Sequence, residues 1–259
     1  VNSIDEEIKN DNIKIINIQL RYKNPFNVNV KEASNFVLKS LNLAHDIASK
    51  KSYVGIINCP INKKLLKKKI GVTEFLSSKS NVQINKEAML IRNKRLAVCP
   101  ITTHISIKDV SKKISKEKII QKVTTINNWY RKNLNKKPKF AILGLNPHNA
   151  ELRVNSEERK IIIPAILKLK KLGFHVNGPM VADTIFIKEY KNYDVIVGMF
   201  HDQVLTPFKT IYKFNAINIT LGLKYLRVSP DHGVAEDLIK KNKANPTSLL
   251  NCIDFINRQ

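Results

Sequence analysis

Residues 115–148 read SKEKIIQKVTTINNWYRKNLNKKPKFAILGLNPH, and a change of period inside this stretch sets the fold class. From Ser115 to Leu134 apolar residues recur at helical spacing, which predicts a long amphipathic helix with Ser115 as its N-cap. Phe140–Leu143 then reads as a short apolar strand, and Gly144-Leu145-Asn146-Pro147-His148 as the loop that leaves it. Helix, strand and polar loop in that order are the repeating unit of an α/β domain.

The same alternation extends to both sides. Towards the N-terminus, Ile13–Leu20 alternates as a strand and Val30–Lys50 has helical periodicity behind the turn-like Asn24-Pro25-Phe26-Asn27. Tyr53–Asn58 reads as a strand stopped by Cys59-Pro60. Ala88–Arg92 and Arg95–Cys99 read as strands flanking a tight turn at Asn93-Lys94. Towards the C-terminus, Ser156 caps a helix that reaches Leu172-Gly173, Tyr193–Met199 and Ala216–Thr220 are strands, and Val234–Lys241 and Thr247–Asn257 are helices. The pattern predicts a mainly parallel sheet.

Bulk properties narrow the class. A chain of 259 residues with 43% hydrophobic and 25% charged residues can bury a globular core. No apolar run is long enough for a membrane span, and residues 1–12 lack the pattern of a secretory signal. Cys59, Cys99 and Cys252 form no CxxC pair and read as buried thiols in a reducing compartment, so a cytoplasmic protein with no membrane partner is expected. The formal charge of +24 raises nucleic acid as a partner, but only 8 of the 45 basic residues are arginine and the lysines follow no motif. The joint excess of Lys, Asn and Ile fits drift towards A/T-rich codons, so no nucleic-acid partner is expected. Runs such as Lys67-Lys68-Lys69 then read as solvated surface charge.

Three of the six histidines follow predicted strands: His104 in Pro100-Ile101-Thr102-Thr103-His104, His148 after Asn146-Pro147, and His201 in Phe200-His201-Asp202-Gln203. Polar groups with chemical roles cluster at strand ends in α/β folds, and three imidazoles with an open position make a catalytic metal site. On spacing alone, capping or hydrogen-bonding roles fit equally well.

Gly144-Leu145-Asn146-Pro147-His148, Ala182-Asp183-Thr184-Ile185-Phe186, His201-Asp202-Gln203, Thr220-Leu221-Gly222-Leu223 and Asp231-His232-Gly233, in this order, closely resemble the 4-hydroxythreonine-4-phosphate dehydrogenase family. The resemblance covers Ile56 to Leu250. It implies an isocitrate/isopropylmalate dehydrogenase-like fold rather than a Rossmann one, with two α/β/α domains flanking a cleft, consistent with the absence of GxGxxG. Residues 1–75 with 225–259 would form the first domain, and 76–224 the second.

The resemblance further implies an activity: NAD- or NADP-linked oxidation of 4-phosphooxy-L-threonine at its 3-hydroxyl, then decarboxylation to 3-amino-2-oxopropyl phosphate, on the route to pyridoxal phosphate. His104, His148 and His201 would hold a divalent metal (Zn, Mg or Co), one of them contributed across a homodimer interface. Such an ion would acidify the alcohol and polarise the ketone. Thr73, Lys209, Asn218 and Arg227 match substrate-binding positions, and their types suit a phosphate, a carboxylate and an amine. Asp183 and Lys63 match catalytic positions, and Asp231, His232, Gly233 and Asn245 match the loop that holds the cofactor's adenosine.

The chain also departs from the family pattern. Val72 stands where the family has a substrate-contacting histidine, Asn149-Ala150-Glu151-Leu152-Arg153 replaces a glycine-rich turn, and Val204 replaces a glycine. The family's opening strand and glycine/proline-rich loop have no counterpart, so an N-terminally truncated, divergent member, or an impaired fragment, is expected. Two alternatives remain: a sister dehydrogenase of a phosphorylated sugar acid (4-phospho-threonate or 4-phospho-erythronate), for which Val72 speaks, and a non-catalytic polyanion-binding protein.

Overall fold

The computed structural model describes residues 14–50, 52–66, 71–80 and 87–259. The Lys67–Lys69 run and Ile13 lie outside the described residues. Eight strands make one sheet: β1 (Gly55–Ile57), β2 (Ala88–Arg92), β3 (Ala97–Pro100), β4 (Lys139–Leu143), β5 (His175–Met180), β6 (Val195–Gly198), β7 (Ile217–Leu221) and β8 (Leu226–Pro230), in the order β1-β8-β7-β2-β3-β6-β4-β5. The helices are α1 (Val30–Ala48), α2 (Val72–Lys79), α3 (Val110–Lys113), α4 (Lys116–Leu134), α5 (Ile163–Lys171), α6 (Ala182–Ile185), α7 (His201–Tyr212) and α8 (Thr247–Ile256).

Strand alternation builds three layers. On one face Leu90, Cys99, Phe140, Ile142, Val195 and Val197 pack with Ile119, Val123 and Ile126 of α4, Leu169 of α5 and Phe255 of α8. The intervening residues Ile91, Val98, Ala141, Leu143 and Ile196 face the other way, onto Val204, Leu205 and Phe208 of α7. Both faces of β4 are therefore covered, which is why FAIL carries no polar residue. Side chains such as Phe140 and Phe208, fully buried, each remove about 2–3 kcal/mol worth of apolar surface from water.

Caps follow the sequence closely. Ser115 accepts the backbone N–H of Lys118 at the start of α4, and Asn135 closes its end in the left-handed region. Asn93 Oδ1 accepts from the N–H groups of Arg95 and Leu96, which ties the β2–β3 turn.

Four expectations need correction. Cys59 is exposed rather than buried, because it lies just beyond the end of β1, where the chain leaves the sheet. The sheet is mixed: β1–β8, β3–β6, β4–β5 and β4–β6 are parallel, but β2–β3, β2–β7 and β7–β8 are antiparallel. Residues 14–20 form no strand, and Ile15 is 73% exposed; alternation yields a strand only where a sheet edge receives it. Within Val234–Lys241 only a 3-10 turn, Glu236–Leu238, forms, because Ala235 and Lys240 adopt positive φ and interrupt any longer helix.

Because β3, β4 and β6 run parallel, the loops after their C-terminal ends leave the same edge of the sheet. His104, His148 and His201 follow those ends.

Candidate active site

The floor of the site comes from the antiparallel pair β7–β8. Ile217, Ile219, Leu221 and Val228 enter the core beneath α4 and α8. Period-2 alternation turns Asn218, Thr220, Arg227 and Ser229 to the opposite face, where Thr220 lies across from Arg227 and Asn218 across from Ser229. A cleft of about 450 Å³ opens there, with Asn218 and Arg227 on its floor, Lys63, Val72, Thr73 and His104 around it, and His232 and Gly233 at its rim.

Arg227 dominates the electrostatics. It is 4% exposed, and no carboxylate of the described residues lies within ion-pair distance of it. Its guanidinium donates to Asn58 Oδ1 at 2.7 Å, Thr220 Oγ1 at 2.9 Å and Thr73 Oγ1 at 3.3 Å. Burial pushes its pKa down to about 10, against the nearby negative charge of Glu74, so it stays a cation at neutral pH. A desolvated cation with only neutral partners is a ready counter-charge for an anion. Beside it Asn218 Oδ1 is buried without a hydrogen-bond partner among the described residues, an acceptor suited to a ligand donor.

The histidines divide into a pair and a single residue. The rings of His104 and His201 have centroids 5.7 Å apart. Two imidazoles on one tetrahedral ion, each about 2.1 Å from it, would set their centroids about 5 Å apart, so the spacing suits a shared metal. Asp202 Oδ1 lies 2.6 Å from His201 Nδ1; a carboxylate there requires the proton on Nδ1 and leaves Nε2 with its lone pair. Burial, reinforced by the positive charge of Lys63, holds the His104 pKa below the usual histidine value and favours the neutral ligand form. His148 stands apart, its Nε2 3.8 Å from Asp183 Oδ2, with both side chains largely exposed. Among the described residues no three His, Cys, Asp or Glu side chains converge on one metal position within a single chain.

The family described as pyridoxal phosphate biosynthetic protein PdxA matches residues 1–256. The chain belongs to the PdxA family. It is 40% identical over 220 residues to the 4-hydroxythreonine-4-phosphate dehydrogenase of Sulfurihydrogenibium sp., covering 83% of this chain and 67% of that one. To the corresponding Aquifex aeolicus protein it is 41% identical over 207 residues, 78% of this chain and 64% of the relative, so the matched stretch leaves about a third of such relatives uncovered. An Oceanobacillus iheyensis protein with the provisional name D-threonate 4-phosphate dehydrogenase is 32% identical over 228 residues, 85% of this chain and 68% of that one. The solved 4-hydroxythreonine-4-phosphate dehydrogenase of Klebsiella pneumoniae superposes with a TM-score of 0.78 at 29% identity, covering 91% of this chain and 74% of that one.

Where the family pattern has a glycine-rich turn, the loop after β4 carries non-glycine residues in the left-handed region. His148, Asn149, Ala150, Glu151 and Leu152 all have φ between +45° and +55°. Each such residue costs about 1–2 kcal/mol relative to right-handed backbone. Local bonds hold the loop: the buried Glu158 accepts the N–H groups of Leu145 and Asn146, each at 2.8 Å, and Asn149 donates to Pro179 O at 3.0 Å. Burial alone would raise the Glu158 pKa, but the donors of Asn146 and Leu145 together hold it below the usual carboxylate value. Glycine at exposed Glu151 should relieve strain without disturbing these bonds. Glu151→Gly is expected to stabilise the fold by about 1 kcal/mol, a rise of about 2–4 °C in Tm; calorimetry showing a lower Tm would reject the strained-loop reading.

Other candidate residues are also placed. Lys209 of α7 meets Asp231, with Nζ 3.2 Å from Oδ1 and donating to the backbone carbonyl at 2.9 Å. Burial raises the Asp231 pKa, Lys209 pulls it down, and Ser248 Oγ accepts its backbone N–H at 2.9 Å. Neither Lys209 nor Asp231 lines the cleft. Asn245 Oδ1 accepts from Thr247 N at the start of α8, a capping role compatible with its exposed position. Val72 opens α2 at the cleft wall, and Val204, on α7, is fully buried against the sheet, its methyl beside Gly198.

Sequence reading missed Asn58, Thr220, Asp202, Gln203 and Glu158 as functional groups. Gln203 accepts from Met199 N and donates to Gly144 O, both at 2.7 Å, and so ties the His201 loop to the His148 loop. The signal for Asp202 and Gln203 was present in the quoted His-Asp-Gln motif. For Asn58, Glu158 and Thr220, only the fold brings the partners together.

Proposed function

We propose that this chain carries the binding and metal-holding groups of a NAD- or NADP-linked dehydrogenase for 4-phosphooxy-L-threonine, on the route to pyridoxal phosphate. The observation that carries the reading is the cleft itself: Lys63, Thr73, His104, Asn218 and Arg227, far apart in sequence, line one cavity in a PdxA chain. Arg227 and Thr73 bind an anionic group of the substrate, and Lys63 adds a second positive charge at the wall. The orphaned Asn218 Oδ1 accepts from the substrate's ammonium group. His104 and His201 hold a divalent cation (Zn, Mg or Co), with Asp202 fixing the His201 tautomer. His148, with Asp183 beside it, completes the ligand set from the second subunit of a homodimer.

A divalent metal held there would supply Lewis-acid polarisation of the reacting oxygen, and a bound nicotinamide nucleotide would supply the acceptor for the hydride of C3. The 3-hydroxyl proton leaves to solvent or to Asp183. The resulting β-keto acid then loses carbon dioxide to give 3-amino-2-oxopropyl phosphate. His232 and Gly233, open to solvent at the rim, are positioned for the nucleotide. A cytoplasmic setting follows from the biosynthetic role. Reduced-nucleotide formation at 340 nm with 4-phosphooxy-L-threonine, NAD or NADP and each metal in turn tests the reading; no turnover with any combination in the intact protein would reject it.

Val72 favours a second reading, a sister dehydrogenase of 4-phospho-threonate or 4-phospho-erythronate, which lack the amine. If the amino acid is the substrate, Val72→His returns a donor to the cleft wall and should raise kcat/KM roughly ten- to a hundredfold. If the wall is shaped around an isopropyl group for a sugar acid, the larger ring overpacks it and costs about 1–3 kcal/mol. Steady-state kinetics on both substrates read the sign.

A further inference from the structure

Arg227 reaches the cleft with three N–H groups already committed. Nε donates to Asn58 Oδ1 at 2.7 Å, and Nη1 donates to Thr220 Oγ1 at 2.9 Å and Thr73 Oγ1 at 3.3 Å. A guanidinium carries five N–H groups, so the two on Nη2 remain, and no described residue accepts them. Asn58 is itself fixed on both sides: its backbone N–H donates to Val228 O at 3.2 Å and its Nδ2 to Cys59 O at 3.0 Å, which turns Oδ1 towards Arg227.

Thr220 is 1% exposed, so its hydroxyl proton needs an acceptor inside the protein. Thr73 Oγ1 lies 3.3 Å away. Arg227 occupies Thr220 Oγ1 as donor, which leaves Thr220 to donate to Thr73. Thr73 Oγ1 then accepts from both Thr220 and Arg227, and its own proton turns outward into the cleft that Thr73 lines.

We propose that Asn58 and Thr220 are positioning residues that aim Arg227 Nη2 and the Thr73 hydroxyl together at one oxyanion of the substrate. Three donors converge: two N–H groups of one nitrogen and one O–H. The inference rests on the reading that Arg227 and Thr73 bind the substrate's anionic group. It adds that two residues which need never touch the substrate set the direction of those that do. It also explains why a buried cation tolerates three neutral partners: they fix its plane without neutralising its charge.

The probes are inorganic phosphate, acetate as a carboxylate probe, and 4-phosphooxy-L-threonine, titrated calorimetrically into the intact protein and four variants. Thr220→Val keeps the volume but removes both the acceptor and the donor; it should weaken binding of the oxyanion probe about tenfold. Thr220→Ser should restore it to within about twofold. Asn58→Leu, at a half-buried position, should match the valine variant and guards against a misfolded Thr220→Val. In turnover, both losses should fall on KM with kcat little changed, a split that a general loss of structure would not give. Which of phosphate or acetate responds identifies the oxyanion. Unchanged affinity in Thr220→Val and Asn58→Leu, with Arg227→Met strongly impaired, overturns the positioning role alone. Unchanged affinity in Arg227→Met as well overturns the underlying reading of the cleft.

Discussion

Arg227→Met is expected to lower kcat/KM for 4-phosphooxy-L-threonine by about a hundred- to a thousandfold, while the protein stays folded. Truncating one member of a buried, hydrogen-bonded charge pair costs about 2–5 kcal/mol, because the partner charge is left desolvated and unpaired. On the proposed reading that partner is the substrate's anion, so the loss should appear only when substrate binds. In the free protein the methionine removes a costly buried cation whose hydrogen-bond partners among the described residues are the neutral oxygens of Asn58, Thr73 and Thr220. Replacing a buried charge with an apolar side chain of similar length is often close to neutral for folding. Arg227→Lys should recover little, since an ammonium cannot reproduce a planar fork that serves three acceptors and still faces the cleft. Circular dichroism and thermal unfolding check the fold, and steady-state kinetics check the loss. A KM and kcat within about threefold of the wild type would mean that Arg227 does not meet the substrate.

If His201 is a direct metal ligand, as proposed, His201→Ala should abolish divalent-ion binding and reduce turnover by about a thousandfold or more. Asp202→Asn should be milder, with about ten- to a hundredfold weaker metal affinity, since the carboxylate only orients and polarises the ring. His148→Ala should also lose metal, although His148 lies away from the His104–His201 pair in its own chain. If two subunits share each site, inactive His201→Ala and His148→Ala proteins complement each other. Each mixed dimer then carries one intact site, formed by His104 and His201 of one subunit and His148 of the other. Random exchange of equal amounts should restore about a quarter of wild-type activity. Elemental analysis of each variant and an activity assay after subunit exchange read these outcomes. Full metal content in His201→Ala would remove that residue from the ligand set, and no recovery on mixing would place all three ligands in one chain.

Much was legible in the sequence because it depends on local periodicity and caps. The helix α4 begins after Ser115, as its capping hydroxyl dictates, and β4 coincides with an apolar run that only a doubly covered strand would carry. The ordered motifs gave the family, and with it Thr73, His104, Asn218 and Arg227, which the fold gathers around one cleft. Backbone strain at residues 148–152 was foreshadowed by the loss of glycine from that turn.

What the sequence could not supply depends on which strands become neighbours. The strand at Leu226–Pro230 was not expected, and the hydrophobic pattern alone does not set strand direction, so neither the β7–β8 pair nor the antiparallel sense of β2–β7 was legible. Those pairings put Thr220 across from Arg227 and turn both to the polar face, and no spacing along the chain encodes that meeting. Over the described residues 14–20 the expected strand does not form, since alternation alone does not make a strand. The sequence by itself determined the class of fold, the family and, among the residues lining the cleft, Lys63, Thr73, His104, Asn218, Arg227, His232 and Gly233. The tertiary structure alone decided that Asn58 and Thr220 hold Arg227, and that His104 sits with His201 rather than with His148, because hydrogen bonds and ring contacts depend on distances that only the assembled sheet creates.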